Sequence, residues 1–341
     1  MKKMLFVFNP RSGKGLIRTA LLDIVDVFTR GGFEVVCYPT QKPRDGYRKI
    51  LEDGSNFDVV VVSGGDGTMS EAVTALMQLP KMIPVGYIPT GSTNDFAASM
   101  RISTNMIDAA QDIVDGVYFE YDVGQFNRQR YFVYVAAFGI FTDVPYETPQ
   151  DAKNIFGHAA YIAEGIKRFT SGSYKGMDIT VEHDGIRESG NFLLGIVSNS
   201  TSIGGMKVPM RDGVYFDDGL FEVTLVRTPA TPIALQQTLN DALLNRLSTK
   251  NFLSFKSAKV KFTSPEPIAW TLDGEAGGAY TESLAVNCRR AIKLIIKPDD
   301  KTDQQREIDS LKPDYNEVSV ADTDNKYLRT ALFEDQKGIE I

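Results

Sequence analysis

The chain has 341 residues, of which 24% are charged and 43% hydrophobic; 37 Lys and Arg against 44 Asp and Glu give a net charge of −7. At about 150 residues per domain this length suggests two domains, and the composition excludes a disordered chain, a collagen-like fibre and a disulfide scaffold. The acidic balance argues against non-specific nucleic-acid binding. Cys37 and Cys288, the two cysteines, have neither zinc-site nor CxxC spacing and suit a reducing, cytoplasmic compartment. The longest apolar run, Phe132 to Phe141, is ten residues, short of the roughly 18–20 that span a bilayer. Asn9-Pro10 ends the first apolar stretch too early for the core of a signal peptide.

In chain order, Met4–Phe8 reads as a strand, Leu16–Thr29 as a helix with Leu21, Leu22, Val25 and Phe28 at helical spacing, and Phe33–Tyr38 as a second strand with Cys37 buried in it. Gly46–Leu51 fits part of a helix. Val59–Val62 is a strand buried on both faces, followed by a helix from about Thr68 to Leu79 and a strand over Ile83–Ile88. This alternation predicts a mostly parallel sheet covered by helices, with a ligand at the carboxyl ends of its strands. From Val117 short strand-like runs dominate: Tyr131–Phe141, Met177–Glu182, Phe192–Asn199, Leu220–Val226, Ala258–Phe262, Ile268–Leu272, Leu284–Asn287 and Ala291–Ile296. Helical stretches interrupt at Ala159–Phe169 and Ile233–Leu247. The pattern is that of an all-β sandwich or barrel with inserted helices. Its last strand is placed to pair back onto either half. Residues 301–341 carry six Lys or Arg against ten Asp or Glu with scattered apolar anchors, and read as a partly ordered extension.

Three glycine-bearing turns follow three of the predicted strands. They are Asn9-Pro10-Arg11-Ser12-Gly13-Lys14-Gly15, Ser63-Gly64-Gly65-Asp66-Gly67-Thr68 with Glu71 beyond it, and Pro89-Thr90-Gly91-Ser92-Thr93-Asn94-Asp95-Phe96. Glycine lets a backbone approach a ligand closely, and free amides at a helix start attract phosphate. Three such loops on one sheet edge would cradle a triphosphate. The structural alternative is helix capping, with Thr68/Glu71 and Ser92/Asp95 as two capping boxes. The turns match neither the Walker loop nor the dinucleotide fingerprint: Gly15 follows Lys14 where Ser or Thr should stand, and Ser70 takes the place of the third glycine.

Together these three motifs resemble the diacylglycerol kinase catalytic domain, most closely that of the soluble bacterial lipid kinases. Order and spacing agree through about residue 298. The resemblance implies an α/β N-terminal domain with a mostly parallel sheet, of the NAD kinase and phosphofructokinase kind, over 1–122. It implies a C-terminal all-β sandwich domain for the lipid over 123–298, with 299–341 left as an acidic extension. It implies ATP as donor, bound by Asn9, Pro10, Arg11, Ser12 and Gly13, by Gly65, Asp66, Gly67, Thr68, Met69, Ser70 and Glu71, and by Thr40 and Ser92. Asp66, Asp95, Asp122 and Asp273 would form a network placing water and Mg²⁺ beside the γ-phosphate; clustered carboxylates call for a cation.

Asp273-Gly274-Glu275 reads from the residues as a hairpin turn. By resemblance it supplies the catalytic base, Asp273 ahead of Glu275. Asp217-Asp218-Gly219-Leu220 reads as a turn into a strand, and by resemblance holds a structural Mg²⁺ through the Asp218 carboxylate and the carbonyls of Tyr215 and Leu220. His158 and His183 have no triad or zinc pattern. Trp270 belongs to the core or lines the acceptor cleft. The pairs Arg128/Arg130, Lys167/Arg168 and Arg289/Arg290 are candidate patches for a membrane surface, since a lipid kinase of this kind works peripherally at the inner face of the membrane; the family often forms homodimers. The expected reaction is transfer of the γ-phosphate of ATP to diacylglycerol. Phosphatidylglycerol or a sphingoid base as acceptor, NAD kinase-like action on a soluble acceptor, and a non-enzymatic nucleotide- or lipid-binding regulator are the alternatives.

Overall fold

A computed structural model describes residues 1–140, 176–204, 206–207, 213–243, 248 and 250–298, all within one compact unit, Met1–Lys301. His158, the expected helix Ala159–Phe169 with the pair Lys167/Arg168, Phe141, and the extension 299–341 lie outside the described residues, as does the expected helix Ile233–Leu247 beyond residue 243.

The N-terminal half alternates as expected: β1 (Lys2–Phe8), α1 (Ile17–Arg30), β2 (Phe33–Pro39), α2 (Asp45–Asp53), β3 (Val59–Gly64), α3 (Asp66–Leu76), β4 (Val85–Pro89), α4 (Asp95–Ser99) and α5 (Met106–Asp115). Its strands run parallel in the order β2-β1-β3-β4. The period of two along a strand explains the unbroken apolar runs. Met4, Phe6, Phe8, Val59 and Val61 face one core layer with Ile24 and Phe28 of α1, while Leu5, Val7, Val60 and Val62 face the opposite layer with Met69 and Val73 of α3. The sequence pattern did not indicate α4 or α5. The signal for α5 is Asn105, whose Oδ1 accepts from the Ile107 and Asp108 N–H groups at 2.9 and 3.3 Å and caps the helix. Cys37 is exposed, not buried; it lies on β2, the edge strand of the sheet.

The second half is antiparallel: β5 (Val117–Phe126), β6 (Arg130–Phe132), β7 (Val135–Gly139), β8 (Met177–His183), β9 (Ile186–Ser198), β10 (Ser202–Ile203), β11 (Met206–Lys207), β12 (Phe221–Arg227), α6 (Pro232–Leu243), β13 (Phe252–Ser257), β14 (Lys259–Leu272) and β15 (Glu275–Ile296). Trp270 is fully buried and packs against Phe126, Phe138 and Phe262, so it is a core residue. His183 also turns inward from the hairpin tip Asp184-Gly185 and stacks on Phe255.

The two halves share one 13-stranded sheet. β15 pairs antiparallel with β14 and β5 and reaches parallel β4 through Leu294 and Val85. Asp122, at the expected end of the first domain, lies within β5.

Candidate active site

The three glycine turns meet at the carboxyl ends of β1, β3 and β4. Gly13 has φ +52°, and a Cβ there would lie 2.0 Å from the Thr90 carbonyl oxygen. At Gly91 a Cβ would lie 2.6 Å from Gly65 Cα. Only glycine permits these approaches. The Ser12 hydroxyl donates to the Thr90 carbonyl at 3.2 Å, the Arg11 N–H to Asn9 Oδ1 at 2.9 Å, and the Asn9 N–H to the Ser63 carbonyl at 2.9 Å. Thr40 joins the same edge, its N–H donating to the Phe8 carbonyl at 2.9 Å.

Neither capping box forms. α3 begins at Asp66 with Gly65 as its N-cap, which puts Thr68 and Glu71 inside the helix. The Glu71 carboxylate instead accepts the Arg44 N–H at 2.9 Å. α4 begins at Asp95 behind Asn94, so Ser92 lies outside it, exposed. The Asp66 carboxylate takes over the capping of α4, accepting the Asp95 and Phe96 N–H groups at 3.1 and 3.2 Å. Met69 is fully buried in the core, so only its backbone is open to a ligand.

Asp273 and Gly274 adopt positive φ, +49° and +81°, and form the two-residue turn joining β14 to β15. The hairpin reading of Asp273-Gly274 is what the backbone shows. The Asp273 carboxylate is buried and accepts three consecutive backbone N–H groups, from Val133, Tyr134 and Val135, at 2.7, 3.0 and 3.1 Å. These amides turn away from the sheet, which splits the expected strand Tyr131–Phe141 into β6 and β7. Burial raises the Asp273 carboxyl above the ordinary range, while the three amides and the Ser70 hydroxyl pull the other way. Glu275 is exposed; its Oε1 would lie 3.6 Å from a Cβ at Gly67, beside the second glycine turn.

Of the four expected carboxylates, Asp66, Asp95 and Asp273 share one neighbourhood. Burial pushes Asp66 up to about 6, with the charges of Asp95 and Asp273 adding to the shift. Asp95 is buried and accepts the Ser202 hydroxyl and the Gly204 N–H, both at 2.7 Å. Asp122 belongs instead to the loop before β12. Its carboxylate accepts the Gly219 N–H at 2.7 Å and the Arg290 N–H at 2.6 Å, and burial pushes it up to about 6. In that loop Asp218 Oδ1 accepts the Leu220 N–H at 2.8 Å, and the Asp217 carboxylate pairs with Arg290 at 3.2 Å. Among the described residues, no three His, Cys, Asp or Glu side chains already stand as a metal-ligand set.

An open groove of about 860 Å³ at the β8–β9 hairpin, lined by His183, Ile186 and Lys259 among others, contains none of the expected site residues. The chemistry gathers where the glycine turns meet the Asp273 turn.

Residues 3–126 match the family described as the diacylglycerol kinase catalytic domain. A Staphylococcus saprophyticus protein named diacylglycerol kinase is 30% identical over 305 residues, covering 89% of this chain and 98% of that protein. The chain belongs to the diacylglycerol kinase family. That membership makes it a kinase of the lipid class. A Bacillus subtilis diacylglycerol kinase is 28% identical over 306 residues, covering 89% of this chain and 99% of its own length. The fold of the family is shared too. A solved Bacillus anthracis diacylglycerol kinase superposes with a TM-score of 0.70 at 20% identity, over 87% of this chain and 98% of that one. No helix of the described residues is long and apolar enough to cross a membrane.

Proposed function

We propose that this diacylglycerol kinase family member transfers the γ-phosphate of ATP to the free hydroxyl of diacylglycerol, giving phosphatidic acid and ADP. The observation that carries the reading is the buried Asp273 carboxylate beside Asp66 and Asp95, at the edge where three glycine turns meet. The half over 1–122 holds the nucleotide: the turns at Asn9–Gly13, Gly65–Glu71 and Ser92, with Thr40, line the triphosphate. The half over 123–298 holds the acyl chains. The protein works from the cytoplasm at a membrane surface.

Phosphoryl transfer asks the protein for position and charge. The lipid hydroxyl oxygen forms a bond to the γ-phosphorus while the bond to the bridging oxygen of ADP breaks. Asp273 accepts the hydroxyl proton. Its three amide partners fix the carboxylate, and burial raises its basicity above that of an ordinary carboxylate. Glu275 stands on the exposed side of the same turn, toward Gly67, and orients the acceptor. Asp66 and Asp95 join the two halves: Asp66 caps α4, and Asp95 holds the Ser202–Gly204 loop of the second half. Asp66 and Asp95, which stand in the glycine turns, would hold Mg²⁺ together with the triphosphate, and the ion would supply charge neutralisation there. Asp218, with Oδ2 left after its bond to Leu220, suits a second Mg²⁺ with the carbonyls of Tyr215 and Leu220.

The test is transfer of labelled γ-phosphate from ATP, with Mg²⁺, into diacylglycerol, phosphatidylglycerol and sphingosine in mixed micelles, and into NAD in solution. Label in diacylglycerol above all others is the expected result. Label in NAD alone, or ATP binding without any transfer, would contradict it.

A further inference from the structure

The loop before β12 holds a second ionic cluster, and one member of it has no role in the reaction. Glu222, the second residue of β12, is 5% exposed, and neither of its carboxylate oxygens has a hydrogen-bond partner. A buried carboxylate in that condition is costly, because it has lost water and gained little in return. Its cross-strand neighbour on β13 is Lys256. The Lys256 ammonium lies 3.3 Å from Glu222 Oε1, donates to the Gly213 carbonyl at 2.6 Å, and sits 5.1 Å from the Tyr215 ring centre. The ammonium therefore rests against the segment that carries Tyr215, Asp218 and Leu220.

The other charges there are committed. Asp122 is satisfied by the Gly219 and Arg290 amides. Asp217 is paired with Arg290, and its carbonyl accepts from Arg289 at 3.2 Å. Asp218 uses one oxygen on Leu220. Glu222 and the second oxygen of Asp218 are left facing a single ammonium. One monovalent cation offsets two carboxylates incompletely, and a divalent cation with oxygen ligands is the chemistry that completes the set.

We propose that Glu222 and Lys256 govern the affinity of this loop for a divalent cation, Glu222 as its buried anionic anchor and Lys256 as the resident cation that competes for the place. The inference rests on the reading of Asp218, Tyr215 and Leu220 as a cation site. Binding a divalent ion there releases the ammonium from Glu222. Removing the ammonium tightens binding, and removing the Glu222 charge weakens it.

The experiment uses the full chain without nucleotide and follows Mn²⁺ binding by the paramagnetic resonance of the free ion, together with the rise in Tm on adding Mn²⁺. Lys256→Met is expected to bind Mn²⁺ at least tenfold more tightly than the native chain, Glu222→Gln at least tenfold more weakly, and Lys256→Arg, which keeps the charge, within about threefold. Tight binding by Lys256→Met where the native chain binds none also supports the proposal. Asp218→Asn separates this inference from the site reading. If Asp218→Asn abolishes a bound Mn²⁺ while Glu222→Gln and Lys256→Met stay within twofold of the native chain, the cation site stands and the inference is wrong. If neither the native chain nor Lys256→Met binds Mn²⁺ at a site lost in Asp218→Asn, both are wrong.

Discussion

Asp273 combines features that seldom occur together in a carboxylate: burial, a left-handed backbone and three consecutive amide donors. The amides fix its oxygens in place, and burial holds its proton affinity above that of a surface carboxylate. Asp273→Asn keeps the shape and removes the base, so transfer should fall about 10²–10⁴-fold with little change in ATP affinity, as single-turnover and equilibrium binding measurements would show. The charges of Asp95 and Asp273 add to the effect of burial on Asp66. Asp66 has been pushed up to about 6; it is ionised above that pH and protonated below it. The acid limb of kcat/KM should therefore fall as pH drops through about 6, well above the range of an ordinary carboxylate. A limb near pH 4 would mean that the group does not control the reaction. The thiols make a separate test at the same scale. Cys37 is exposed, whereas burial pushes Cys288 up to about 12. A thiol reagent at pH 8 should modify Cys37 within minutes and Cys288 only on unfolding.

Among the elements, those legible in the sequence are those whose pattern is local. The four valines of β3, the unbroken apolar run of β1 and the glycine turns announce themselves, because burial on both faces and positive φ restrict residue choice. The motif residues at Asn9–Gly13, Gly65–Glu71 and Asp95 could be named without structure. Interactions across long sequence separations could not. The break between β6 and β7 depends on a carboxylate about 140 positions away. The Asp66 bond that replaces the Ser92/Asp95 box reaches across 29 residues. Asp122 looks like a fourth member of the carboxylate group until its β5 register directs it to Gly219 and Arg290. Glu222 carried no signal at all in sequence, since a Glu after an apolar residue in a strand reads as a solvent-facing position. The glycine turns give the element-scale prediction. Gly13→Ala forces a Cβ against the Thr90 carbonyl at a positive φ. It should cost about 1–3 kcal/mol of stability and weaken ATP binding at least tenfold. Gly32→Ala, also at positive φ but with open space around its Cβ, should leave ATP binding unchanged. Calorimetric titration of both variants with ATP is the check.

At the scale of the whole molecule, the sheet is continuous from the parallel strands to the antiparallel ones. β15 starts at the Asp273 turn and ends beside β4, so a single strand ties that turn to the N-terminal half. Leu294, fully buried where β15 meets β4, should cost about 2–5 kcal/mol when changed to Ala. Calorimetry should then show one unfolding transition for the 1–298 region moved to lower temperature; two separated transitions would mean that the halves fold independently. The measurement that bears most directly on the account is single-turnover transfer of the γ-phosphate from ATP to diacylglycerol in mixed micelles, comparing the native chain with Asp273→Asn and Glu275→Gln. Rapid transfer by the native chain, loss of two or more orders of magnitude in Asp273→Asn, and a smaller loss in Glu275→Gln are predicted. Native-like transfer by Asp273→Asn would contradict the assignment of the base, and with it the proposed working of the site.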